Sequence, residues 1–156
     1  MKRLLLIVIV LGAFAALPAM AQVNITAGAG GIYPAGTTFN GVPINGLQSG
    51  YGVEISSTGS ALGQFCTVLL GLNNLGLPQN IVIEGKASGG SRTASNIVTF
   101  SGSCSINMGD GTAPLLGVPF TATITTNAND QGTIGLVLGL NTLPAATVNQ
   151  GSMSIR

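Results

Sequence analysis

The amino-acid sequence predicts an all-β protein, an antiparallel β-sandwich or small barrel of about seven or eight strands with one disulfide. Apolar residues alternate with polar ones in successive stretches from Tyr51 to Ile155. Clusters of Gly, Asn, Asp and Ser, which are typical of turns, separate these stretches. After position 21, no stretch of about ten residues combines helix-forming residues with an apolar period of 3.6.

The first 21 residues have the pattern of an export signal. Lys2 and Arg3 precede an apolar run from Leu4 to Leu17, and Ala19-Met20-Ala21 forms a small-x-small cleavage motif. The run of about 14 residues is shorter than the roughly 20 that a membrane-spanning helix requires. We therefore predict a cleaved secretory signal peptide over 1–21, with an uncleaved anchor as the alternative. The mature protein is then expected in the periplasm, outside the cell or on its surface, without a transmembrane span.

Residues 22–50 form a predicted N-terminal arm that is rich in Gly, Asn and Pro. Only Val23 to Ala27 alternates in the manner of a short strand, and the rest of the arm is predicted as loop. This short strand could add to the sheet of a neighbouring subunit. The predicted β domain occupies 51–156.

Within the β domain, the period-two pattern assigns one apolar face to each strand. The assigned residues are, in chain order, Tyr51, Val53 and Ile55; Cys66, Val68, Leu70 and Leu72; Ile81, Ile83 and Ala87; Val98, Phe100, Gly102, Cys104, Ile106 and Met108; Val118, Phe120, Ala122 and Ile124; Ile134, Leu136, Leu138 and Leu140; and Val148, Met153 and Ile155. In the last strand the phase slips by one residue near Gly151, which predicts a β-bulge.

Cys66 and Cys104 are the only cysteines. An even number of cysteines in an exported chain predicts a disulfide. Both residues fall on the assigned apolar faces, so the bridge is expected to cross the core. Closing this loop would stabilise the fold by about 4 kcal/mol in the chain-entropy model.

Charge is scarce, and this excludes most catalytic and binding chemistry. The chain has no histidine, and only 6% of its residues are charged. Beyond residue 21 three basic and four acidic side chains remain, a net charge of −1. Histidine-dependent triads and imidazole metal ligands are therefore absent, and a phosphate-binding basic patch is not expected. We predict a protein that is not an enzyme, with no cofactor and no nucleic-acid partner. No metal site is assigned, and calcium binding near Asp110 or Asp130 stays open as an alternative.

Few residues qualify as site candidates. The acidic residues show no pairing that would support glycosidase chemistry, so no catalytic residue is predicted. The segment from Asn127 to Gly132 is predicted as a hairpin turn, because it lacks the carboxylates of a calcium loop. Phe100 and Phe120 belong to the predicted core. Three of the other aromatic residues are ligand-binding candidates, with packing under loops as the alternative: Tyr33, Phe39 and Tyr51.

These observations predict an exported, non-catalytic structural or adhesive β protein of the cell surface or extracellular matrix. Its partners are expected to be further copies of itself, in a self-assembling array, or extracellular polysaccharide and matrix, because little charge repulsion keeps such surfaces apart. The alternative is a small extracellular module that binds carbohydrate or an apolar ligand.

Overall fold

The structure, a computed structural model, describes residues 22–156. The predicted signal peptide lies outside these residues. The predicted all-β class is confirmed for the described chain, in which ten antiparallel strands form one sheet without any helix. The described segments accordingly include no helix with the length and hydropathy of a membrane span.

The sheet has ten strands, more than the seven or eight predicted. They are β1 (Val23–Ile32), β2 (Thr38–Phe39), β3 (Val42–Ile55), β4 (Ser60–Gly71), β5 (Ile81–Ala94), β6 (Ile97–Asn107), β7 (Leu115–Thr126), β8 (Gly132–Leu138), β9 (Asn141–Thr142) and β10 (Ala146–Ile155). Strands β2 and β9 contain only two residues each.

The pairing follows the chain from β3 to β8, with each strand antiparallel to the next. Strand β10 then pairs with β8 on one side and with β1 on the other. Strand β1 also pairs with β3 over ten positions, from Val23 opposite Ile55 to Ile32 opposite Gly46. Each of the eight longer strands therefore has a hydrogen-bonded neighbour on both sides, and the succession of pairings returns to its start.

One face of the sheet, here called the inner face, carries the buried core, and the opposite face is called the outer face. Four aromatic rings meet at the inner face: Tyr51, Phe65, Phe100 and Phe120. Phe65 and Phe120 stack with ring centroids 5.0 Å apart, although β4 and β7 are three strands apart in the sheet. A flat sheet would separate those strands by about 14 Å. The sheet therefore curls around its aromatic cluster.

The segment predicted as loop before residue 50 lies largely within strands. Strand β1 continues to Ile32 and β3 begins at Val42, so both belong to the same sheet as the rest of the chain. The alternation is hidden in the sequence because small residues such as Gly28 and Ala29 mark its two faces only weakly. Because β1 is paired on both edges, it has no free edge for the strand addition considered above.

The predicted apolar faces are correct for most strands but wrong for β4. In β4 the buried residues include Phe65, Thr67 and Leu69, whereas Cys66 is exposed and Val68 is half-buried. Both faces of β4 carry apolar side chains, so the pattern could be assigned in either phase. Thr67 is accommodated in the core because its hydroxyl lies 2.7 Å from the buried hydroxyl of Ser49.

The predicted pattern is wrong at the end of β8 and correct in β10. Leu140 is fully exposed in the turn between β8 and β9, although the pattern placed it on an inner face. The predicted bulge in β10 is confirmed, since the pairing with β1 shifts between Val148 and Gln150. Gly151 then adopts a positive φ of 72°, and a Cβ atom there would collide with the carbonyl oxygen of Gly28.

The predicted disulfide is wrong, because Cys66 and Cys104 are both free. Cys66 lies opposite Glu84 of β5, and Cys104 lies opposite Gly85 on the other edge of that strand. With one strand between them their backbones are about 10 Å apart, beyond the roughly 7 Å limit for a bridge. Cys66 also lies on the outer face, whereas Cys104 is buried on the inner face.

Candidate functional site

A trough of about 700 Å³ crosses β3, β4, β5 and β6 and is open to solvent at the outer face. This volume falls within the roughly 300–1,000 Å³ of small-molecule sites. It is lined by Gly50, Tyr51, Gly52, Gln64, Phe65, Cys66, Glu84, Gly85, Lys86, Ser103, Cys104, Ser105 and Gly117.

The strand register arranges the outward side chains of the trough in two parallel rows. The first row runs across four strands through Gly50, Cys66, Glu84 and Ser105. The second row lies two residues away on each strand, later in β3 and β5 and earlier in β4 and β6, and consists of Gly52, Gln64, Lys86 and Ser103. Each row begins at a glycine of β3 and continues with polar side chains or a thiol, because cross-strand neighbours on one face lie side by side.

Two glycines of β3, Gly50 and Gly52, leave one side of the trough without side chains. A Cβ atom added at Gly52 would meet no atom within 4 Å, and one at Gly50 would approach only the Ala27 carbonyl oxygen, at 3.9 Å. Both positions therefore have room for a side chain that the protein does not place there. The backbone of β3 is exposed to solvent where a larger residue would cover it.

The trough continues beyond β3 into a second, shallower depression. The two share Gly50 and Cys66, and the second is bordered by Gly28 and Gly30 of β1. Gln48 of β3 and Gln150 of β10 contribute further amide groups. The continuous surface thus spans β10, β1, β3, β4, β5 and β6 and suits an extended ligand better than a compact one.

Hydrogen-bonding groups without net charge dominate the trough. Gln64, Ser103 and Ser105 supply amide and hydroxyl groups, and Glu84 and Lys86 contribute one charge of each sign. Burial and the negative charge of Glu84 both raise the pKa of the Cys66 thiol. Cys66 is therefore a protonated thiol at neutral pH and a poor nucleophile.

The three aromatic residues predicted as ligand-binding candidates are all buried. Phe39 and Tyr33 belong to the segment that connects β1 to β3, with 1% and 4% of their surface exposed. Tyr51 belongs to the aromatic cluster, with its ring centroid 5.7 Å from that of Phe100. Among the three, only Tyr51 borders the trough, and its ring packs inside the sheet. None presents an exposed ring face on which a sugar could stack.

The acidic residues are dispersed over the described chain. Glu54 and Glu84 lie on separate strands, while Asp110 and Asp130 lie in the connections that precede and follow β7. Hydrogen bonds from Thr112 to the Asp110 carboxylate lower the pKa of that residue. Residues 22–156 contain no cluster of three or more His, Cys, Asp or Glu that could hold a metal ion.

The segment from Asn127 forms the predicted hairpin turn between β7 and β8. The Asn127 side-chain oxygen accepts hydrogen bonds from the backbone N–H groups of Asn129 and Gln131, at 2.9 and 3.1 Å. This is the local bonding that favours asparagine at the start of a turn.

Sequence reasoning missed the trough, because its rows join residues from four strands. Glu84 and Lys86 alternate with the assigned apolar residues of their strand, and the structure places both on the exposed face. Their grouping with Gln64 and Ser103 depends on the strand register, and no local motif marks it. Comparison with known protein families, with curated proteins and with solved structures finds no match to this chain.

Proposed function

We propose that this chain is an exported, non-catalytic adhesive protein of the cell surface or extracellular matrix, which binds neutral polysaccharide along the trough. The observation that carries the proposal is the trough itself, an open surface across six strands to which β3, β4, β6 and β10 contribute amide or hydroxyl side chains. Sugars present dense arrays of hydroxyl groups, and such ligands are bound by amide, hydroxyl and backbone groups of this kind.

The fold favours ligand binding on the outer face of the sheet over binding in its interior. We propose that the curled sheet closes as a small barrel, because β1 pairs with both β10 and β3 and the ring of strands has no unpaired edge. Its interior is filled by apolar side chains, including the stacked rings of Phe65 and Phe120. A filled interior favours the polysaccharide partner over an apolar ligand held inside the sheet.

Affinity electrophoresis through gels that contain neutral polysaccharides of different linkage tests the binding. Gly52→Gln should weaken retardation at least tenfold, because its side chain would extend into the trough from a position with open space around it. Gly135→Gln is the matched control, since Gly135 lies on β8, outside the trough, and a Cβ there makes only ordinary contacts at 3.8 Å. Equal retardation of both variants, or no retardation of the parent protein by any polysaccharide, would contradict the proposal.

Export is tested separately by cell fractionation of the full chain. We expect the protein in the exported fraction, with a mass that corresponds to cleavage after Ala21. A variant with two charges placed inside the apolar run of the leader, Val8→Arg with Val10→Arg, should remain inside the cell at its full mass. Recovery of the unaltered chain inside the cell would overturn this part of the proposal.

A further inference from the structure

The large exposed apolar side chains gather at one end of the sheet. Because successive strands alternate in direction, the connections that follow β1, β4, β6 and β8 all lie at the same end. We call this the apolar end, after seven residues that lie in or beside these connections and are 41 to 103% exposed: Ile32, Leu72, Leu75, Leu77, Leu115, Leu116 and Leu140. The remaining exposed leucine, Leu62, lies near the opposite end of the sheet, beside Glu54.

Side-chain contacts confirm that these connections meet. Asn40, which follows β2, donates a hydrogen bond to the sulfur of Met108 at 3.9 Å. Asn141 donates to the side-chain oxygen of Asn40 at 3.2 Å. Gln79 donates to the carbonyl oxygen of Met108 at 3.1 Å. The four connections therefore form one continuous surface, and the exposed leucines lie on it.

Most charged residues of the described chain lie away from the apolar end. Only Asp110 lies in the connections of the apolar end. The other end carries Glu54, Arg92, Asp130 and Arg156, which lie at or beside its turns and the chain terminus. An apolar surface cannot bind such a charged end without leaving charges unsolvated. Among identical molecules, the surface that can cover the apolar end is therefore the apolar end of another copy.

We propose that the apolar end is a self-association surface, through which two copies of this chain pack end to end about a two-fold axis. The seven residues expose about 800 Å² of surface, which matches the roughly 800 Å² per partner of a stable interface. The largest apolar patch on a typical monomer is about 300–600 Å². In a two-fold contact, the apolar end of one copy covers the apolar end of the other, and Asp110 can remain solvated at the rim.

Two other occupants fit the surface less well. A lipid surface is normally engaged through Trp, Tyr, Lys or Arg at the boundary, and the connections of the apolar end expose none of these. The leader before residue 22 would be removed by the proposed cleavage after Ala21, so in the exported protein it would not cover the apolar end. The association does not depend on what the trough binds, since the two surfaces share no residue.

Sedimentation velocity of the purified protein between about 1 and 100 μM tests the proposal. We expect a concentration-dependent dimer. The double variant Leu75→Gln/Leu116→Gln should raise the dissociation constant at least about a hundredfold, because each substitution removes a buried leucine from both sides of the contact. Leu62→Gln is the matched control, as this residue is 75% exposed but lies away from the apolar end, and it should leave the dissociation constant unchanged.

Thermal unfolding of each variant shows whether its fold is intact, so that a loss of association cannot arise from misfolding. A monomer at every concentration would overturn the proposal. So would a dimer that resists the double variant or responds equally to Leu62→Gln. Co-sedimentation of a monomeric protein with neutral phosphatidylcholine vesicles would instead assign the apolar end to a lipid surface, and would likewise refute self-association.

Discussion

At the scale of single residues, the hydroxyl groups of Tyr33 and Tyr51 stand out, because both are buried without a hydrogen-bond partner among the described residues. A buried hydroxyl that loses its water and gains no partner destabilises the folded state by about 1–3 kcal/mol. Burial also raises the pKa of both tyrosines above the ordinary value near 10. These two consequences share one cause, and one substitution tests both.

We predict that Tyr51→Phe raises the free energy of unfolding by about 1 kcal/mol at neutral pH, since it removes the unpartnered hydroxyl and keeps the ring. Above a pH of about 10 the unfolded tyrosine ionises while the folded one stays protonated, so the parent protein loses stability as the pH rises. Each buried tyrosine contributes up to about 1.4 kcal/mol per pH unit to this loss, and the variant should lack one such contribution. Urea unfolding at a series of pH values measures both effects, and identical slopes for variant and parent would refute the assignment.

At the scale of secondary-structure elements, the junction between β1 and β10 depends on a single glycine. Gly151 follows the bulge with a φ of 72°, and its Cα approaches the β1 backbone so closely that no Cβ fits beside the Gly28 carbonyl. This junction is also where the succession of strand pairings returns to its start, because β10 pairs with β8 on its other side. The local backbone conformation of one residue thus affects how the first and last strands meet.

Gly151→Ala should therefore lower the free energy of unfolding by at least about 2 kcal/mol, from the positive φ and the steric collision together. Gly28→Ala is the control on the partner strand, where an added Cβ meets nothing within 4 Å. The control should change stability by less than about 1 kcal/mol, and it should be neutral or slightly stabilising. Chemical denaturation of the two variants gives the comparison, and similar losses for both would show that the bulge geometry is not the determining factor.

At the scale of the whole molecule, the curled sheet separates an inner from an outer face, and one cysteine lies on each. Cys66 is exposed within the trough, whereas Cys104 is buried in the core. Neither is bonded to the other. If two copies join at their apolar ends, the assembly would carry two troughs, and binding to a repeating polymer would gain avidity without any new contact.

We predict that a thiol reagent modifies one cysteine in the native protein and two in denaturant. The reaction of Cys66 should be slower than that of a free model thiol, because its pKa is raised by burial and by Glu84. Glu84→Gln should accelerate it, since removal of the negative charge lowers the pKa of the thiol. Cys104 should react only at the rate of unfolding. Recovery of no reactive thiol in denaturant without reductant would instead demonstrate the disulfide that the structure lacks.

The sequence by itself determined the all-β class, most strand faces beyond residue 50, the bulge near Gly151 and the hairpin turn at Asn127. These follow from period-two alternation and turn chemistry, which are local properties of the chain. Only the tertiary structure decided that residues 28–32 and 42–50 form strands, because glycine and alanine carry little periodic signal there. It likewise decided which face of β4 is buried, since Val68 and Leu69 are apolar on opposite faces and only packing distinguishes them. That choice placed Cys66 on the outer face. The strand order placed β5 between the two cysteines, which rules out the predicted disulfide, and the register brought the residues of the trough together. Neighbours across strands are set by register, which no single stretch of sequence contains.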